Sequence, residues 1–134
     1  MILDRGVLLH IMLGEAGWEG TLRWLSKQLR LRLSAVSLVE THAVVTGRSQ
    51  QPLRNALDEL LTLLEVEVVA FSAEQARLAQ DAYTRPGKGQ GHPARLNFGD
   101  VMVYALCASE GEVLAFVGDD FSRTDLEAVR LLPE

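Results

Sequence analysis

Apolar and polar residues alternate along this chain in two distinct rhythms. "MILD" is a short apolar run stopped by an acid, which predicts a buried strand. "LLHIMLGE" and "WEGTLRWLSKQLR" follow with helical spacing, separated by Gly14 and Gly17. "LRLSA" predicts a second strand, and "SLVETHAVVTG" a helix capped by Ser34 or Ser37 and stopped at Gly47. "PLRNALDELLTLLE" starts a helix at Pro52 and spaces its leucines three to four apart. "VEVVAF" is β-branched and reads as a strand. "SAEQARLAQDAYTR" opens with Ser72 and Gln75 at capping-box spacing. After the loop "PGKGQGHPARL" comes a helix, "NFGDVMVYALCASEG", with Asn97 as its cap. "EVLAFVG" is a strand, "DDFSRTD" a turn or short helix, and "EAVRLLP" a last edge strand. Strands that are continuous apolar runs, alternating with helices, predict a mostly parallel sheet covered on both faces: a three-layer α/β/α sandwich.

Composition narrows the class without deciding it. The 134 residues are expected to form one domain, spanning 1–134, with a core large enough to need no disulfide or structural metal. A hydrophobic share of 48% and a charged share of 23% suit a globular protein. Cys107 is the one cysteine and sits in an apolar run, so a buried thiol in a reducing, cytoplasmic setting is expected. Asp4 and Arg5 interrupt what a secretory signal would need, and no stretch is long enough to span a bilayer. The net charge of −5 argues against non-specific coating of nucleic acid, but not against an enzyme with a local basic edge.

The candidate chemistry lies in the acids. Ligands of such sheets bind beyond the carboxyl ends of the strands. Asp4 closes the first strand, and Asp119 and Asp120 follow the strand "VLAFVG". Glu40 and Asp100 lie near the starts of their helices. Four distant segments are thereby expected to bring Asp4, Glu40, Asp100 and Asp119 to one rim, with Asp120 as the alternative to Asp119. Crowded carboxylates raise one another's pKa unless a cation joins them. Hard oxygen donors without a Cys or His cluster favour Mg²⁺ or Mn²⁺. Taken singly, Glu40 and Asp100 are equally well explained as partners of a helix dipole. His10 and His42 read as core or boundary residues, Trp18 and Trp24 as a packing surface, and Asp125 with Thr124 as support for the turn after Asp119.

The order of "MILD", "SLVETHAVV", "NFGDVMVYALC" and "FVGDDFSRTDL" resembles the PIN-domain ribonucleases, especially the VapC-type toxins of type II toxin–antitoxin pairs, over nearly the whole chain. The resemblance implies a PIN-like α/β/α sandwich and an endoribonuclease dependent on Mg²⁺ or Mn²⁺. It also implies a homodimer and a cognate antitoxin that blocks the site. Carried over by position, Asp4, Glu40, Asp100 and Asp119 are the catalytic, metal-holding acids. Lys88, His92 and Arg95, just before Asp100, read equally as contacts for an RNA backbone or as a solvated loop, and Arg5 is a further candidate for RNA contact. The "LLHIML" and "LRWLSKQL" faces read equally as a docking surface for an antitoxin helix or as an ordinary core face.

The departure is "DRG": Arg5 follows the first acid, and Gly6 stands where the family carries Ser or Thr. Arg5 can pair with Asp4 and compete with a metal, or point outward to phosphate. The same departure supports the alternative of a degenerate domain that binds RNA or an antitoxin without cleaving. Two other phosphoryl-transfer classes fit poorly. A haloacid-dehalogenase phosphatase needs an Asp at position 6, and a response-regulator receiver needs an acid pair after the first strand.

Overall fold

The computed structural model describes residues 1–47, 51–84, 96–122 and 124–131. In chain order its elements are β1 (Ile2–Leu3), α1 (Arg5–Met12), α2 (Trp18–Leu25), β2 (Arg32–Ser34), α3 (Ala35–Gly47) and α4 (Gln51–Leu63). There follow β3 (Glu67–Val69), α5 (Ala73–Thr84), α6 (Phe98–Glu110), β4 (Leu114–Phe116) and β5 (Ala128–Arg130). The strands form one sheet in the order β3-β2-β1-β4-β5, and every pairing is parallel.

Alternation within the strands divides the core between the two faces. Leu3, Leu33 and Ala115 pack on one side against Val7, Leu8 and Ile11 of α1, Leu25 of α2, and Leu57 and Leu60 of α4. Trp18 and Trp24 pack against that cluster. Ile2, Leu114 and Phe116 point the other way, onto Val103, Leu106 and Cys107 of α6. Beyond them, Ala79 and Ala82 of α5 meet Val101, Tyr104 and Ala105. The expected three-layer α/β/α arrangement is what the structure has. Burial pushes the Cys107 thiol up to about 12, so it is an inert core group. No described helix is long and apolar enough to cross a membrane.

The local signals explain the helix starts. Ser34 caps α3, its Oγ accepting from Val36 N at 3.1 Å, while Ser37 is buried inside the helix. Ser72 accepts from Gln75 N at 3.1 Å, but the Gln75 side chain turns to the Ala70 carbonyl, so only half of the capping box forms. His10 is buried between Glu15 and Thr21, at 3.3 Å from each, as a satisfied core histidine; His42 is exposed.

The pattern "LRLSA" marks Arg32 only as part of a strand. At the amino-terminal edge of the sheet it is buried and reaches Glu110 at 3.0 Å, Glu112 at 3.5 Å and Glu67 at 3.6 Å. Burial alone would lower its pKa; Glu110 and Glu112, with Glu67, overcome that and hold it above its usual value. Removing the cation leaves three facing carboxylates. Arg32→Met is therefore expected to lower stability by about 2 kcal/mol, less than a fully buried pair because the glutamates reach solvent. A urea midpoint that does not move would contradict this.

Candidate active site

The strand order reverses direction at β1. From β1 the chain adds β2 and then β3 on one side, then crosses to build β4 and β5 on the other. The crevice beyond the carboxyl ends of β1 and β4 is thus a topological switch point, the place where this architecture binds ligands.

Asp4 stands at that crevice because β1 ends at Leu3 and α1 begins at Arg5. It is the N-cap of α1, its Oδ2 accepting from Gly6 N at 3.2 Å. Asp100 arrives from the other layer as the third residue of α6, in a capping box. Asn97 Oδ1 accepts from Asp100 N at 2.8 Å, and Asp100 Oδ2 accepts from Asn97 N at 3.2 Å. The dipole-partner reading of Asp100 is thus real, and it also fixes the orientation of the carboxylate. Asp4 is 9% exposed and Asp100 is 5% exposed, which is unusual for free acids. Burial, then the charge of Asp100, pushes the Asp4 carboxyl up to about 6. Burial also raises Asp100, with Asp120 and Glu40 adding to the effect, against the Asn97 hydrogen bond and Arg5.

Glu40 reaches the same place from α3, which packs against both α1 and α6. Its carboxylate lies on the first turn of α6, where the helix dipole favours an anion. Contact is so close that a Cβ at Gly99 would overlap it, with the Glu40 Cδ only 2.7 Å away. Gly99 is a site residue that sequence reading missed; its signal was a glycine inside the first turn of "NFGD". Gly6 is similarly crowded, since a Cβ there would lie 3.0 Å from Asp4 Oδ2 and 3.1 Å from Val117 Cγ2. Arg5 turns neither onto Asp4 alone nor wholly outward: its Nε lies 3.9 Å from Glu40 Oε2.

After β4 the chain turns at Gly118, in the left-handed region at φ 83. Asp119 leaves this turn largely exposed and pairs with Arg130 of the edge strand at 2.8 Å. Asp120, the alternative fourth acid, is the one whose charge bears on Asp100. Thr124 Oγ1 donates to the Phe121 carbonyl at 3.0 Å, and Tyr104 OH donates to Asp125 Oδ1 at 2.8 Å, tying the turn to α6. Lys88, His92 and Arg95 lie outside the described residues.

Asp4, Asp100 and Glu40 are therefore neighbours; Asp120 is exposed and bears on Asp100 through its charge, while Asp119 is paired with Arg130. Among the described residues, no three His, Cys, Asp or Glu side chains are grouped tightly enough to enclose an ion as they stand. Two of the carboxylates accept cap hydrogen bonds and the third faces Arg5. The donor chemistry still fits a hard divalent cation: oxygen ligands only, two of them raised in pKa chiefly by burial and further by neighbouring carboxylates.

Fold and site together define an α/β/α protein with an oxygen-donor acidic site at a switch point. Comparison with known proteins gives that class its family. The PIN domain family matches residues 1–127. The VapC ribonuclease Mb2780c of Mycobacterium bovis is 40% identical over 126 residues, covering 94% of this chain and 96% of that protein. Ribonuclease VapC28 of Mycobacterium tuberculosis is 37% identical, covering 95% and 96%. Among solved structures, VapBC2 of Rickettsia felis, bound to a DNA fragment from its promoter, superposes with a TM-score of 0.74 at 17% identity, covering 96% of each chain. The sarcin–ricin-loop-cleaving toxin VapC20 of Mycobacterium tuberculosis superposes with a TM-score of 0.71 at 22% identity, covering 90% and 92%. This chain belongs to the PIN-domain family, among the VapC ribonucleases.

Proposed function

We propose that this protein is a divalent-metal-dependent endoribonuclease, the toxin of a toxin–antitoxin pair acting in the cytoplasm. Asp4, Glu40 and Asp100 would hold Mg²⁺ or Mn²⁺, with Asp120, whose charge bears on Asp100, as the fourth acid in place of Asp119, which pairs with Arg130. The observation that carries this reading is the burial of Asp4 and Asp100 side by side at the switch point, both with raised pKa. Such a pair is costly alone and favourable around a cation.

When bound, the ion supplies Lewis acidity, sharpening water as a nucleophile toward a phosphodiester. The chain's own residues do the rest. The Asn97 capping box fixes Asp100, the start of α1 fixes Asp4, and Gly99 leaves room for the Glu40 carboxylate. Lys88, His92 and Arg95 are proposed to meet RNA phosphates from the segment that precedes α6 in sequence.

Two apolar grooves support the proposed partners. Ile11, Met12, Leu60 and Leu63 line one of about 470 Å³, suited to an antitoxin helix. Phe71, Tyr83, Phe98 and Met102 line another of about 480 Å³, suited to pairing with a second copy. The Arg5–Glu40 pair favours a second reading, in which RNA or antitoxin is bound without cleavage.

Incubating the purified chain with a long single-stranded RNA in chelator, then restoring Mg²⁺ or Mn²⁺, tests the proposal. Cleavage is expected only with the ion, and Asp100→Asn should slow it about a hundredfold or more. Cleavage that persists in chelator would overturn the metal dependence. RNA binding with no cleavage under any divalent ion would establish the second reading.

A further inference from the structure

The acid pocket already contains a cation supplied by the chain. Arg5 is the first residue of α1, directly after Asp4, and its guanidinium leans across the crevice to Glu40 on α3. The gap of 3.9 Å is an ion pair without a hydrogen bond, and both side chains are about one-third exposed, at 32% and 29%. The contact is therefore held by charge and open to solvent, rather than locked by directional bonds. Arg5 also lowers the carboxyl pKa of both Asp4 and Asp100, so its charge reaches all three acids. A guanidinium does not lose its proton in any ordinary pH range, which makes this a permanent charge.

Position 6 is closely packed beside Asp4. A side chain there would press on Asp4 Oδ2 and Val117 Cγ2. Asp4 accepts from the Gly6 N–H, and the cation whose charge acts on it is Arg5.

We propose that Arg5 is a built-in counter-cation of the acid pocket, which stabilises the metal-free protein and competes with the divalent ion for the same carboxylates. This rests on the metal-site reading above. Arg5 sits at the mouth and binds loosely, so it weakens ion binding without preventing it. Loading the ion displaces the guanidinium from Glu40.

The test measures ion binding directly, on the full chain stripped with chelator. Mn²⁺ is titrated by calorimetry into wild type, Arg5→Gln and Arg5→Lys, and each metal-free protein is melted. Arg5→Gln is expected to bind Mn²⁺ about tenfold more tightly and to melt lower without metal. Arg5→Lys, which keeps the charge, should remain near wild type in both. Equal or weaker Mn²⁺ binding by Arg5→Gln overturns the competition, and so does a Lys variant that matches the Gln variant. If neither wild type nor Arg5→Gln binds Mn²⁺, the metal-site reading fails and this inference with it.

Discussion

Asp4→Asn is expected to abolish RNA cleavage and, at the same time, to make the metal-free protein more stable. The two effects share a cause. The Asp4 carboxyl is raised by burial and by Asp100 to about 6, against 3.8 in an unfolded chain. A raised acid binds its proton more tightly in the folded state, so folding is favoured at low pH, when both states are protonated. The advantage is lost as pH climbs from about 4 through about 6, and above that the folded chain carries the full penalty. A shift of this size corresponds to about 3 kcal/mol at the upper limit. Asparagine removes the charge and keeps an oxygen for the Gly6 N–H, so a net gain of about 1–2 kcal/mol at pH 7 is the expected result. Melting both proteins in chelator at neutral pH and near pH 4 checks it. The Asn variant should lead at neutral pH, and most of the difference should vanish in acid. An Asn variant that is less stable at neutral pH, or a gap that ignores pH, would refute the claim that wild type folds against this charge. With Mn²⁺ present the order should reverse, because only the carboxylate gains a counter-ion.

How much of this was legible beforehand depends on which physical rule governed each residue. The strands were readable because Ile2, Leu3, Leu114, Ala115 and Phe116 are buried on both faces of a parallel sheet and leave an unbroken apolar run. The meeting of Asp4, Glu40 and Asp100 was readable because strand ends and helix starts in such a sheet share one rim. The choice between Asp119 and Asp120 was not, because the two acids are adjacent in the turn after Gly118 and only the placement of Arg130 on the edge strand shows that Asp119 is taken by an ion pair. The direction of Arg5 was also hidden. Asp4, Glu40 and solvent were all within reach of a flexible side chain, and packing of α3 against α1 selected Glu40. Arg32 escaped notice because a charge within an apolar strand is uninformative until its three glutamates, one from β3 and two from the end of α6 and the turn after it, are placed around it.

Gly99 separates the stability of the fold from the chemistry of the site most cleanly. Within a helix, glycine is worse than alanine by about 0.5–1 kcal/mol, so Gly99→Ala should stabilise α6 if only the backbone mattered. The new methyl would occupy the position of the Glu40 carboxylate. That carboxylate ends a flexible side chain and can swing away at little cost, so the fold survives and the site loses one of its three neighbouring acids. The expected result is a melting temperature equal to or above wild type, with RNA cleavage and Mn²⁺ binding each weakened about tenfold or more. Glu40→Gln supplies the partner measurement, because it removes the charge and leaves the shape. If Gly99 acts through Glu40, adding Gly99→Ala to Glu40→Gln should cost little further activity, a non-additivity expected of contacting residues. Additive losses would mean that Gly99 matters to α6 or Asp100 independently, and wild-type cleavage by Gly99→Ala would show that the position of Glu40 is irrelevant to the reaction.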